Sequence, residues 1–151
     1  NRRFLLDRLR QGLANSRRHG NHGALLFIDL DHFKSINDTY GHLIGDEVLL
    51  IFANILRAAL RDSDRCLRYG GEEFVLILPD TTVANGVAAM TRLQRELTTR
   101  FFLQGTEKLL ITFSAGVAQL GDGETSADAI RRADKSMYLA KRSGKNRVMA
   151  A

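Results

Sequence analysis

Two short stretches place carboxylates where carboxylates are costly. In Arg68-Tyr69-Gly70-Gly71-Glu72-Glu73-Phe74, two glycines and two acids separate apolar runs. Residues 67–69 and 74–78 read as strands joined through Gly70-Gly71 as a two-residue turn, since φ > 0 costs glycine nothing. Adjacent carboxylates at such a bend repel unless a cation sits between them, and a residue without Cβ lets a bulky ligand approach the backbone. A polar hairpin tip in water is the alternative these residues leave open. The second stretch, residues 24–31 (ALLFIDLD), is an apolar run ending in Asp29-Leu30-Asp31. Strand alternation puts both aspartates on one side of the pleat, and a carboxylate inside a strand is expensive unless paired or metal-bound. Asp29 is the better ligand candidate; Asp31, nearer the strand end, could simply cap the next helix.

Further along, Asn37 and Asp46 combine an amide with a carboxylate acceptor, a pairing suited to a guanine edge, although spacing alone does not establish it. Asp46 and Glu47 also suit the first turn of a helix, where the dipole favours acids. Lys141 and Lys145 bracket a helix C-terminus, which the dipole explains equally well. Arg61 to Arg65 reads as a solvated, mixed-charge connection.

The elements that must position these residues follow from periodicity. Residues 1–13 have Leu6, Leu9 and Leu13 at helical spacing, and residues 15–23 are polar and turn-rich. A short helix over 32–38 and a long amphipathic one from about 44 to 61 precede the hairpin. Pro79 stops its second strand. A third helix is expected from 83 to about 102, then one strand over 109–120 with a possible bend at Gly116. The last helix starts at Ser126 as N-cap and stops at Gly144 as C′, with an edge strand over 147–150. This order contains a β-α-β-β-α-β core: an α+β, ferredoxin-like or palm architecture, with a mainly antiparallel central sheet flanked by helices. There the end of the first strand and the bend of the hairpin lie side by side, so Asp29 and Glu72 are candidate neighbours. Converging carboxylates of this kind suit two-metal phosphoryl transfer, with hard oxygens holding Mg²⁺ or Mn²⁺.

Length and composition bound the alternatives. The 151 residues, 44% hydrophobic, suffice for one domain and not two. Cys66 is the only cysteine, which excludes an internal disulfide. No apolar run approaches the roughly 20 residues of a membrane helix. The formal charge of +5 and pI near 9.8 suit an anionic ligand, and no RNP aromatics, zinc spacing or leucine-zipper heptads point to nucleic acid.

The chain resembles the GGDEF domain of bacterial diguanylate cyclases, in its GGEEF variant. The resemblance rests on Asn-Arg-Arg-Phe at 1–4, FIDLDHFKSINDTYGHLIGDEVL at 27–49, RYGGEEF at 68–74, TFSAGVA at 112–118 and ADKSMYLAKRSGKN at 133–146. It implies condensation of two GTP into cyclic di-GMP with release of two pyrophosphates, by a homodimer whose two sites face each other. Asp29, Glu72, Glu73 and the Leu30 carbonyl resemble the family's ligands for Mg²⁺ or Mn²⁺, two per GTP site, with Glu72 also the candidate base for the 3′-hydroxyl. Asn37 and Asp46 match the guanine readers, and His42 lies close to substrate. Lys34, Lys141 and Lys145 match the phosphate ligands, and Gly70 and Gly71 leave room for GTP. Arg61 and Asp64, with Arg92 from a second face, match an inhibitory product site. Two departures are Glu72 where aspartate is common, a frequent active alternative, and Lys145 where arginine is frequent, which replaces a bidentate grip by a point charge. The resemblance further implies a cytoplasmic domain without membrane or nucleic-acid contact. It also implies an upstream lead segment and a sensor or dimerisation module that the given residues lack. A non-catalytic cyclic di-GMP receptor is the rival reading; the intact set of acids and lysines argues against it.

Overall fold

Strand β1 (Gly23–Leu30) runs through the middle of the sheet with both faces covered, which is why its sequence is almost continuously apolar. The computed structural model describes residues 3, 7, 10, 11, 23–99, 102–104, 107–121 and 124–151. The helix expected over 1–13 and the loop over 15–23 lie almost wholly outside them. After β1 come α1 (Phe33–Tyr40), α2 (His42–Ala58), β2 (Arg65–Arg68), β3 (Glu73–Pro79), α3 (Val83–Thr98), β4 (Phe102–Gln104), β5 (Glu107–Leu109), β6 (Phe113–Gln119), α4 (Ser126–Arg142) and β7 (Arg147–Ala150). The main sheet has the order β2-β3-β1-β6-β7, antiparallel except for the β6–β7 pair.

Alternation along β1 divides the core in two. Ala24, Leu26, Ile28 and Leu30 pack with Phe52, Leu56, Met90 and Leu93 of α2 and α3. Leu25 and Phe27 pack with Ala129, Ala133 and Met137 of α4. Burial of these side chains at about 25 cal/mol per Å² of apolar area is the main force holding the helices to the sheet. Asp29 and Asp31 continue the odd-numbered set, so they look toward α4.

Several expectations are corrected. Residues 102–104 leave the third helix and pair with 107–109 as a separate two-stranded sheet. Gly116 is not a bend: it lies mid-strand, where a Cβ would strike the Ala133 carbonyl and stand 2.5 Å from the Met137 amide nitrogen. Its missing side chain lets α4 lie close on β6. The N-cap of α4 is Thr125, one residue earlier than Ser126, its side chain accepting from the Asp128 N–H at 3.1 Å. Helix α2 begins at His42, so Asp46 and Glu47 fall beyond its first turn. Among the described residues no helix is long and apolar enough to cross a membrane.

Candidate active site

The register of the β1–β3 ladder sets Asp29 directly opposite Glu73. Side chains opposed in an antiparallel pair share one face, with Cβ atoms roughly 5 Å apart. The next step of the chain adds a third acid, because the Leu30 N–H donates to the Glu72 carbonyl at 3.3 Å. The end of β1 and the hairpin loop are therefore tied together, as the order of elements predicts.

The loop itself is longer than expected. The Tyr69 N–H donates to the Glu73 carbonyl at 2.8 Å, leaving Gly70, Gly71 and Glu72 as a three-residue bend. Neither glycine has positive φ, so the two-residue glycine turn is corrected. What glycine supplies is space. A Cβ on Gly70 would fall on the Glu73 carboxylate, while one on Gly71 would meet nothing within 4 Å. Arg68 holds the bend from below, its guanidinium donating to the Gly71 carbonyl at 2.6 and 3.0 Å and to the Gly70 carbonyl at 3.2 Å.

Lys141 reaches the same corner from the C-terminal turn of α4. Its ammonium lies 3.1 Å from Asp29 Oδ1, 3.0 Å from the Leu30 carbonyl and 2.8 Å from Asp31 Oδ1. Asp31 does not cap α1. Its carboxylate is fully buried and also accepts from Ser114 Oγ at 2.7 Å, Thr112 Oγ1 at 2.8 Å and the Asn146 N–H at 2.8 Å. Burial, the largest influence, opposes its charge, but the hydrogen bonds from Lys141, Ser114 and Thr112 outweigh it and hold Asp31 below the usual carboxylate range. For Asp29 the balance is reversed. Burial pushes its carboxyl up, Lys141 opposes this, and the charges of Glu72 and Asp31 push it further up. Two aspartates two residues apart thus differ in kind: Asp31 is a satisfied anchor, Asp29 a carboxylate short of positive charge.

Asp29 Oδ1 and the Leu30 carbonyl converge on one ammonium, so both can address one cation, and hard oxygen donors suit Mg²⁺ or Mn²⁺. Among the described residues no three acidic, histidine or cysteine side chains form a ready-made metal cage. A backbone carbonyl and substrate oxygens have to complete such a shell, as is usual for magnesium beside phosphates.

On the other side of β1, Asn37 presents a buried Oδ1 without a hydrogen-bond partner. A buried unsatisfied carbonyl costs about 1–3 kcal/mol, so it marks a place where a ligand donor belongs. Gly45 makes room for it: a Cβ there would overlap Asn37 Oδ1 and approach Cγ to 2.9 Å. Asp46, next in sequence, is exposed and lines a 400 Å³ cavity with Leu49, Arg57, Arg68 and Phe74. Lys34 and His42 are exposed on α1 and at the start of α2. Lys145 lies in the turn after α4, where Gly144, Lys145 and Asn146 all have positive φ and the Lys145 N–H donates to the Ala140 carbonyl at 3.0 Å.

Arg61 and Asp64 are far from this corner, at the Pro79 end of the hairpin. Asp64 accepts from Arg61 Nη2 at 2.8 Å, Nε at 3.2 Å and the Arg61 N–H at 2.8 Å. Arg61 Nη2 also donates to the Pro79 carbonyl and Thr81 Oγ1, both at 2.9 Å. The pair is therefore an ordered bidentate unit and not a loose solvated connection. Arg92 lies on α3, lining the groove between α2 and α3 with Ile55, Met90 and Glu96; among the described residues no hydrogen bond or ion pair joins it to Arg61.

Sequence reasoning missed Gly45, Arg68, Thr81, Thr112 and Ser114. Arg68 and Thr81 sit beside residues already singled out. Thr112 and Ser114 have only their two-residue spacing as a signal.

A family model for the diguanylate cyclase GGDEF domain matches residues 1–147. The chain belongs to this family. The GGDEF domain is 42% identical over 151 residues to diguanylate cyclase DgcP of Pseudomonas aeruginosa, covering all of this chain and 22% of that protein. The chain thus spans about a fifth of the length of that relative. It superposes on diguanylate cyclase SiaD in complex with its activator SiaC, from Pseudomonas aeruginosa, with a TM-score of 0.93 at 42% identity, covering 100% of this chain and 58% of that one. It also superposes on the GGDEF domain of DgcB from Caulobacter crescentus, solved with c-di-GMP, at TM-score 0.91 and 33% identity, over 95% and 86% of the two chains. The palm-like nucleotide-cyclase fold expected from the order of elements is the fold of these neighbours.

Proposed function

We propose that this GGDEF domain condenses two GTP into cyclic di-GMP and two pyrophosphates, acting as a dimer with one GTP per protomer. The observation that carries the reading is the convergence of Asp29 Oδ1, the Leu30 carbonyl and the Glu72–Glu73 bend on one corner of the sheet. Asp29, Leu30, Glu72 and Glu73 hold Mg²⁺ or Mn²⁺, two per GTP. When bound, the ions neutralise charge developing on the α-phosphate and on the leaving pyrophosphate. Asn37 Oδ1 and the Asp46 carboxylate accept from the N1–H and exocyclic amine of guanine, with His42 beside them. Lys34, Lys141 and Lys145 bind the phosphates.

Glu72 accepts the 3′-hydroxyl proton as that oxygen attacks the α-phosphorus of the GTP held by the other protomer. A P–O bond to the 3′-oxygen forms and the bond to pyrophosphate breaks. The same exchange in the opposite direction closes the ring. Gly71, open on its outer side, lets the nucleotide lie against the bend. Cyclic di-GMP also binds at Arg61 and Asp64, where the guanidinium stacks on guanine and grips phosphate; the c-di-GMP-bound DgcB domain supports product binding within this fold. The domain works in the cytoplasm, under an attached sensor or dimerisation module or a bound activator of the kind SiaC is to SiaD.

The decisive experiment incubates the chain at high concentration with GTP and Mg²⁺ and separates the products by chromatography. Cyclic di-GMP and pyrophosphate are expected; no cyclic di-GMP refutes the reading. An adenine-containing or mononucleotide product would reassign the reaction.

A further inference from the structure

We infer that Lys141 is the internal counter-cation of the metal-binding oxygens, so that metal entry and phosphate binding by Lys141 are a single exchange. This rests on the reading of Asp29 and Leu30 as metal ligands and adds the order in which the site fills. The Lys141 ammonium occupies the point on which Asp29 Oδ1, the Leu30 carbonyl and, at 3.4 Å, the Asp29 carbonyl converge. A divalent ion cannot use Asp29 and Leu30 while a second positive charge stands about 3 Å from both, because cations that close repel strongly in a half-buried corner.

Lys141 has somewhere to go and a pivot on which to turn. Asp31 is pinned by Ser114, Thr112 and the Asn146 N–H, so it cannot follow an incoming metal. Its Oδ1 keeps the ammonium at 2.8 Å while Asp29 lets go. The freed N–H bonds then need acceptors, and the phosphate oxygens arriving with the metal are the ones at hand. A metal without a triphosphate strips Lys141 of Asp29 and Leu30 and replaces neither; a metal carried by a triphosphate replaces both. The structure thus assigns Lys141 the task of keeping the ion out until the nucleotide brings it.

The test measures Mn²⁺ binding to the full chain by the electron paramagnetic resonance of free Mn²⁺, with and without a non-hydrolysable GTP analogue. Lys141→Met should bind Mn²⁺ roughly tenfold more tightly than the parent without nucleotide, since one repelling charge is gone. The analogue should tighten Mn²⁺ binding less in the variant than in the parent. Lys141→Gln, which keeps a donor for Asp31 without the charge, should change in the same direction and serves if the methionine variant unfolds. Equal or weaker Mn²⁺ binding in the folded variants, with Asp29→Asn still abolishing it, overturns the exchange and leaves the ligand assignment standing. Mn²⁺ binding that survives Asp29→Asn overturns both.

Discussion

Asp29 and Glu73 stand directly opposite one another across the β1–β3 ladder, on the same face of the sheet. Like charges so placed destabilise a sheet, and burial makes Asp29 worse. The fold tolerates the pair because Lys141 lies against one member. The metal-binding role proposed for this pair and folding stability therefore pull in opposite directions at this position.

Asp29→Asn should abolish cyclic di-GMP formation, by a factor of about 10² or more, without lowering the unfolding temperature at neutral pH. The sign follows from the raised carboxyl: stability linked to Asp29 is fully present below its unfolded value and lost as pH rises through the folded one. Calorimetric unfolding at pH 7 beside a product assay checks both; a marked loss of stability contradicts the first half.

Asp31→Asn should do the reverse. Its carboxyl is held down, so the stability it contributes is present above the unfolded value near 3.8 and lost as pH falls through the folded one. The amide cannot match four donors, and a destabilisation of about 3–5 kcal/mol is expected for breaking a buried pair. Urea unfolding between pH 7 and pH 3 should show the difference from the parent narrowing as acid removes the same charge.

Gly45→Ala should weaken GTP binding by pushing its methyl group into Asn37. Overpacking of this kind costs about 1–3 kcal/mol. Isothermal titration with GTP and with ATP should show the guanine preference shrinking, while Ala53→Gly on the same helix, facing the core, lowers stability and leaves the preference alone.

Arg61→Ala should remove the high-affinity binding of cyclic di-GMP while turnover at low product concentration is kept. The variant also leaves the Asp64 carboxylate buried with only its backbone donor, at a cost of about 1–3 kcal/mol. Calorimetry that finds parental product affinity would remove the product site from this position. Thr81→Val, which deletes one acceptor of the guanidinium, should give a smaller loss in the same direction.

Much of this was legible in the sequence because strand alternation is strict. Asp29 and Asp31 had to share a face, and the order of elements had to bring the hairpin beside them. Alternation could not say which aspartate was the anchor, since that depends on Thr112, Ser114 and the turn at Asn146, far along the chain. The bend at 70–72 was misjudged for a related reason. Gly-Gly suggests a tight turn, whereas Gly70 makes room for a neighbouring carboxylate, and such crowding has no local signature. The same holds for Gly116 and Gly45, whose partners lie on other elements or a helix away. The short strands at 102–104 and 107–109 were lost because the preceding helical spacing runs on past the point where the helix stops.

The division of β1 between two cores makes its length an odd-or-even matter. Loops around the site can gain residues, but one residue inserted between Gly23 and Ile28 would turn every later side chain over. Asp29 and Asp31 would then project into the layer of Phe52 and Phe113, and Leu30 toward Lys141. Two inserted residues would restore the facing at the expense of a bulge. Insertions in the connections leave this facing intact, whereas a change of spacing within the strand preserves it only in steps of two.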